Sequence, residues 1–152
     1  MGLNLLTGNF FIMTNDRKET YKEHSVNLHH EGYRCAQCVL MTLSNLIGLD
    51  RETAARIASG MGGGVGGCGE ICGAANAMAM AESFLHEATP SDNRRASADV
   101  KPLVRRFAAE NSDRLACRDL KGKPDAKSCD ELIALAVDIF ISAHPELISQ
   151  ES

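Results

Sequence analysis

The sequence predicts an all-α protein, a single helical bundle of about five helices around a glycine-rich loop. Tryptophan is absent and aromatic residues make up only 5% of the chain. Alanine and methionine are plentiful instead, and this mixture favours closely packed helices over a β-sandwich. Apolar residues recur with helical spacing in several segments. Eight of the 13 glycines fall within residues 60–73, where they interrupt the helical pattern.

The length of 152 residues fits one domain. We expect residues 15–148 to form that domain and residues 1–14 to be a poorly ordered leader. The start lacks the basic segment and the small-residue cleavage site of a signal peptide, so we expect a cytoplasmic protein. No apolar run reaches the ~18 residues that span a membrane. A net charge of −4 argues against general binding to nucleic acid or to anionic membranes.

Two helices are expected in the first third of the chain. The first covers about residues 15–31 and stops at Gly32, and its histidines, His24, His29 and His30, are expected to be exposed or to cap the helix. The second covers about residues 33–47 and stops at Gly48. At 100° per residue, Cys35 lies at the edge of its apolar stripe, whereas Cys38 falls on the more polar side.

The glycine loop is expected to connect a short helix to a buried one. Asp50 is a suitable N-cap for a helix over residues 51–59. After the loop, residues 70–86 are apolar on most sides, as is typical of a helix in the centre of a bundle. Cys72 lies in its first turn, and we expect Glu70 to cap its N-terminus rather than to act as a base.

The C-terminal third predicts two further helices. Residues 87–98 are interpreted as a loop, followed by a helix over residues 99–111 with Pro102 in its first turn. Cys117 falls in a short turn over residues 115–120. Ser128 and Glu131 fit a capping box at the start of the last helix, where Cys129 faces the core.

Six cysteines without an export signal indicate reduced thiols that bind metal or perform redox chemistry. A buried cysteine can also be a small hydrophobic residue without further function. In a first functional interpretation, Cys72 and Cys129 are catalytic residues that cycle between dithiol and disulfide, because a helix start lowers a thiol pKa.

In a second interpretation, several thiolates hold an iron–sulfur cluster or zinc. The glycines beside the site, Gly67, Gly69 and Gly73, would then offer backbone N–H groups to the sulfurs of the bound cofactor. A zinc site made from Cys35, Cys38, Cys68 and Cys72 is a weaker variant, because its central gap is long and one pair lies within a helix.

Several short segments together resemble the C_GCAxxG_C_C family of redox-active proteins. They are Arg-Cys-Ala-Gln at 34–37, Ser-Gly-Met-Gly-Gly-Gly at 59–64, Gly-Glu-Ile-Cys-Gly-Ala at 69–74, Ala-Cys-Arg-Asp-Leu at 116–120 and Ser-Cys at 128–129. The resemblance spans about residues 17–143. It implies a small helical redox domain, of a kind also found attached to haem domains.

The resemblance implies that Cys35, Cys72, Cys117 and Cys129 are the signature cysteines and the candidate metal ligands. Ala77 replaces a glycine of the signature. Cys38 and Cys68 are additional to it, so a role for either would be peculiar to this protein.

The sequence therefore predicts a small redox-active protein whose cysteines come from separate helices. An iron–sulfur cluster is the favoured cofactor, with metal-free dithiol chemistry or a zinc-stabilised partner-binding module as alternatives. The expected partner is a redox protein or a small-molecule oxidant or reductant, and the Met-rich central helix suggests a homodimer. Whether the protein is an enzyme stays open; oxidoreductase is the class it would fit.

Overall fold

The computed structural model describes the backbone of residues 3–149 and the side chains of residues 12–149. This region contains eight helices: α1 (Leu3–His30), α2 (Cys35–Ile47), α3 (Arg51–Ala58), α4 (Gly73–Phe84), α5 (Asn93–Ala109), α6 (Cys117–Leu120), α7 (Cys129–Ala143) and α8 (Pro145–Ser149). Its only extended pairing is an isolated antiparallel bridge between Ile71 and Ala116. The all-α prediction is confirmed, although eight helices replace the expected number of about five.

The first helix differs from the prediction at its start. It begins at Leu3, well before residue 15, and ends at His30. Gly32 follows with a φ of 104°, a left-handed conformation that glycine adopts without strain and that turns the chain toward α2. Residues 1 and 2 of the expected leader lie outside the described residues, and the domain limits of 15–148 stay a prediction.

The second helix is the most enclosed element. It packs against α1, α3, α4 and α7, and it ends at Gly48 in the left-handed conformation, as predicted. Because neighbours cover it on several sides, residues on its polar face are buried as well. Cys38 is 0% exposed and Thr42 is 4% exposed. The prediction that only Cys35 of this pair faces inward is therefore wrong.

Helix α4 is largely buried, as predicted, and packs against α2, α5 and α7. Small side chains such as Ala74, Ala77 and Ala81 are fully buried on it, which permits a close approach to its neighbours. Helix α7 completes the core with Ile133, Phe140 and other apolar residues. None of the helices in the described region combines the length and the apolarity needed to cross a bilayer.

Helix α5 begins at Asn93, so the expected loop over residues 87–98 is shorter than predicted. Pro102 consequently lies in the middle of the helix rather than in its first turn. A proline there removes one backbone hydrogen bond. Its position is exposed, so water can solvate the carbonyl that loses its partner, which explains why the helix continues.

Two of the predicted helix caps are confirmed. Asp50 accepts a hydrogen bond from the Thr53 amide at 2.9 Å. Ser128 Oγ accepts one from the Glu131 amide at 3.2 Å. The second cap fixes the start of α7 and hence the position of Cys129, the residue that follows it.

We predict that Ser128→Ala lowers the free energy of unfolding by about 1 kcal/mol, because an orphan amide of α7 loses its acceptor. Denaturant unfolding measures the change. Ser97→Ala is the control, because Ser97 is exposed in the middle of α5 and should leave stability unchanged or slightly raised. Equal stability of Ser128→Ala and the parent protein would contradict the capping role.

Candidate functional site

Four cysteines occupy the starts of four different helices. Cys35, Cys117 and Cys129 are the first residues of α2, α6 and α7, and Cys72 is the N-cap of α4. All four line one cavity of about 340 Å³, which we call the cysteine cavity. Its volume is at the lower end of the ~300–1,000 Å³ typical of small-ligand sites. The structure thus brings together the four cysteines that the sequence singled out.

The four thiols are close enough to affect one another electrostatically. Cys35 and Cys117 both raise the pKa of Cys72, and the same two raise the pKa of Cys129. Within the described residues, however, no three sulfur atoms lie within 4.8 Å of one another. The thiols therefore surround the cavity rather than converge on a single point.

Burial is the main cause of the raised pKa of Cys72 and of Cys129. It raises the pKa of Cys72 to about 11, although the Ala74 and Ala75 amides act in the opposite direction. Burial also raises the pKa of Cys129, against the favourable charge of Lys121. The expectation that helix starts lower both pKa values is wrong, because desolvation of a thiolate here outweighs the partial charge of the helix end.

Glycines form one wall of the cavity, but not all of those predicted. Gly73 lines it together with Gly62 and Gly63, whereas Gly67 and Gly69 are not among its lining residues. The N–H groups of Gly62 and Gly63 have no backbone acceptor within the described region. Neither amide is therefore used by the backbone of the loop.

The glycine loop is folded back on itself. The Gly66 amide donates to the Gly60 carbonyl at 2.8 Å, and the Glu70 amide donates to the Gly64 carbonyl at 3.0 Å. Gly64 has a φ of 71°, and a Cβ there would lie 2.5 Å from the Glu70 backbone. A side chain at this position would therefore prevent the loop from closing.

Gly73 permits the tightest contact at the site. A Cβ on this residue would lie 2.6 Å from Cys35 Sγ and 2.9 Å from the Met61 carbonyl oxygen. These distances are shorter than any normal carbon contact, so only glycine allows the start of α4 to pass beside the Cys35 thiol.

The antiparallel bridge joins the start of α4 to the start of α6. The Cys72 amide donates to the Leu115 carbonyl at 2.8 Å, and the Cys117 amide donates to the Glu70 carbonyl at 2.6 Å. The expectation that the Glu70 side chain caps α4 is wrong. This side chain pairs with Arg118 at 2.8 Å, where both side chains are exposed and the pair contributes little to stability.

Gln37 fixes the start of α2. Its side-chain oxygen accepts a hydrogen bond from the Arg34 amide at 3.0 Å, and its side-chain nitrogen donates to the Ala55 carbonyl at 2.9 Å. The residue thus connects the first turn of α2 to α3 and holds the backbone that carries Cys35.

A histidine pair lies beside Cys129 and was not recognised as part of the site. His29 Nδ1 is 2.6 Å from one oxygen of Asp130, and His30 Nε2 is 2.7 Å from the other. These contacts join the end of α1 to the start of α7. His29 also lines the cavity, together with Arg34 and Leu120 from the family-like segments and with three residues that carried no sequence signal: Tyr33, Lys121 and Leu132.

The two remaining cysteines lie outside the cavity. Cys38 donates a hydrogen bond from Sγ to the Tyr33 carbonyl at 3.6 Å, and burial raises its pKa to about 12. Cys68 is exposed on the glycine loop. These positions do not support the zinc variant that would use both.

We predict that Gly73→Ala lowers the free energy of unfolding by about 1–3 kcal/mol, the usual cost of overpacking, and changes the reactivity of Cys35 toward an alkylating reagent. Denaturant unfolding and mass spectrometry measure the two effects. Gly60→Ala is the control, because a Cβ there meets nothing within 4 Å. If the two variants behave alike, Gly73 is not needed for the close approach.

A second prediction concerns Asp130, whose pKa is lowered by the hydrogen bonds from His29 and His30. Its contribution to stability is complete above the ordinary Asp pKa of about 3.9 and is lost as the pH falls through the lowered value. Asp130→Asn should therefore lower the melting temperature at pH 6, and the difference from the parent protein should close toward pH 3.

Thermal unfolding across this range makes the measurement. Asp113→Asn serves as the control because Asp113 is exposed and should show no such pH-dependent difference. A deficit in Asp130→Asn that stays constant with pH would contradict the role of the ionised carboxylate.

Of the comparisons with known proteins, the one with family models gave a match. No match to the chain was found among curated proteins or among solved structures. A family model described as "Putative redox-active protein (C_GCAxxG_C_C)" matches residues 33–142. The match begins just before α2 and ends within α7, so it includes all four helix starts of the cysteine cavity. The chain belongs to the C_GCAxxG_C_C family of redox-active proteins.

Proposed function

We propose that the cysteine cavity holds an iron–sulfur cluster through Cys35, Cys72, Cys117 and Cys129, and that the protein transfers electrons through it. The observation that carries the proposal is one cavity lined by four cysteines from four helix starts. Four cysteine thiolates are the usual ligand set of such clusters. When bound, the cluster would supply one-electron transfer.

The spacing of the thiols favours a cluster over a single metal ion. Four sulfurs around one zinc ion are about 3.8 Å apart, given Zn–S bonds of ~2.3 Å and tetrahedral geometry. No three sulfurs of the described residues lie within 4.8 Å of one another. A cluster contains more than one iron atom, so its four thiolates would not all need to meet at a single ion.

The acidity of the thiols also favours a metal-bound centre over free dithiol chemistry. Exchange between thiol and disulfide needs a thiolate as the nucleophile. Burial raises the pKa of Cys72 to about 11 and also raises that of Cys129, so burial disfavours the thiolate at both positions when no metal is bound. Coordination to a metal removes the thiol proton outright.

The surrounding residues have defined roles in this proposal. Leu120 and Leu132 give the cavity an apolar wall, which limits water around the centre. The Gly62 and Gly63 amides offer donors to sulfur, and such hydrogen bonds adjust the reduction potential. Lys121 supplies a positive charge near Cys129, which offsets part of the negative charge of the thiolates.

A metal-free redox pair is the second candidate, and one observation favours it. The bridge between Ile71 and Ala116 joins the backbones that carry Cys72 and Cys117. Both thiols also line the cysteine cavity, so a disulfide between Cys72 and Cys117 is the oxidised form that this candidate predicts. In either form, the expected partner is a redox protein or a small-molecule oxidant or reductant.

Anaerobic purification followed by visible spectroscopy and by iron, sulfide and zinc analysis tests the proposal. We expect charge-transfer bands and bound iron with sulfide in the parent protein. Substitution of any one of the four cavity cysteines by serine should reduce bound iron at least severalfold. Cys68→Ser is the matched control, because Cys68 is exposed outside the cavity, and it should keep the parent spectrum.

Any of three results would overturn this proposal. A colourless protein that contains zinc would indicate a structural metal site. A colourless, metal-free protein in which mass spectrometry finds a reversible Cys72–Cys117 disulfide would establish the second candidate. Loss of the chromophore in Cys68→Ser, with retention in Cys72→Ser, would place the centre elsewhere.

A further inference from the structure

A second group of potential ligands lies at the opposite end of α4. Glu82 comes from the last turns of α4, His86 from the turn that follows it, and Asp99 from α5. One ligand atom from each of these residues lies within 4.8 Å of the other two. Since α4 is 12 residues long, about 18 Å of helix separates this group from the cysteine cavity.

Glu82 is the unusual member, because it is a carboxylate with only 3% of its surface exposed. One of its oxygens, Oε2, is 2.5 Å from His144 Nε2. The other, Oε1, has His86 Nε2 as its ion-pair neighbour at 4.0 Å, which is too long for a hydrogen bond. Oε1 thus makes no hydrogen bond to His86, and a cation between the two atoms could be bound by both.

His86 lies between two aspartates. Its Nδ1 is 3.3 Å from Asp92 Oδ2, and its Nε2 is 3.2 Å from Asp99 Oδ2. A neutral imidazole has one N–H. If that N–H is on Nδ1, on the side of Asp92, the Nε2 lone pair faces the oxygens of Asp99 and Glu82. Histidine ligands of metal ions commonly have a carboxylate beside the other ring nitrogen.

The group has more negative than positive charges. Four carboxylates contact its two histidines: Glu82, Asp92, Asp99 and Glu146. Even with His86 and His144 both protonated, the group would carry a net charge of two negatives. Arg95 lines the same surface hollow as His86 and Asp92, but no ion pair joins it to these carboxylates within the described residues. A divalent cation would neutralise the excess.

We propose that Glu82, His86 and Asp99 bind a divalent metal ion, with His144 and Asp92 as the outer residues that orient Glu82 and His86. Two carboxylate oxygens and one imidazole suit an ion that accepts oxygen and nitrogen ligands, such as Mn²⁺ or Fe²⁺, rather than a thiolate-seeking ion. The ion would join the end of α4 to α5 across the intervening turn. The site is independent of the cysteine cavity.

Mn²⁺ alone is the probe, because it discriminates against the thiols of the cavity. Protein treated with a chelator and then dialysed is titrated with Mn²⁺, and the free ion is followed by its paramagnetic resonance signal. We expect one bound ion per chain. Asp99→Asn, which changes an exposed side chain without altering its shape, should weaken binding at least tenfold, and His86→Ala should do the same.

His144→Ala tests the outer residue and should weaken binding about 10–100-fold, as is typical when such a partner is removed. His24→Ala is the matched control, since His24 is exposed on α1 and should leave affinity unchanged. Cys72→Ser should also bind Mn²⁺ like the parent protein, which separates this site from the cysteine cavity. Absence of a bound ion in the folded parent protein, or parent-like affinity in both Asp99→Asn and His86→Ala, would overturn the proposal.

Discussion

The structure depends on how closely the backbone of the glycine loop can approach its surroundings. At Gly64 the loop meets its own backbone, and at Gly73 the start of α4 passes against the Cys35 thiol, leaving no space for a methyl group at either position. Without these approaches, Cys72 could not stand beside Cys35, and the bridge that brings Cys117 to Cys72 could not form. The glycines therefore determine the position of the cysteine cavity, even where they do not line it.

Helix starts and burial act in opposite directions on the cavity thiols. A helix N-terminus stabilises a thiolate through its partial positive charge and free amides, and the Ala74 and Ala75 amides do this for Cys72. Burial disfavours the same thiolate, and it has the larger effect. In the proposed function, the positive charge of a bound metal centre would compensate for desolvation while the amides donate to sulfur. On that proposal the cavity thiols act as metal ligands rather than as free nucleophiles.

Local signals in the sequence predicted the parts of the fold that depend on short-range contacts. The caps at Asp50 and Ser128 and the stop at Gly48 follow from neighbouring residues, and all three were found. The burial of Cys38 was missed because helical periodicity reports one apolar face, whereas several helices surround α2. The early start of α5 was missed because polar residues form its exposed first turns. Pro102 also suggested a helix start where the structure has a helix interior.

In the candidate site, too, local patterns predicted some residues, whereas others are brought there only by long-range contacts. The four cysteines could be selected because their spacing resembles a family signature, but the contacts of His29 and His30 with Asp130 span about a hundred positions in sequence. No local pattern predicts such a contact. The carboxylates and histidines near Glu82 are likewise dispersed over α4, α5 and the end of α7. Helix α4 connects the two groups: its first residues line the cysteine cavity, and its last turn carries Glu82. Because soft and hard ligands prefer different ions, the two proposed sites can be tested separately.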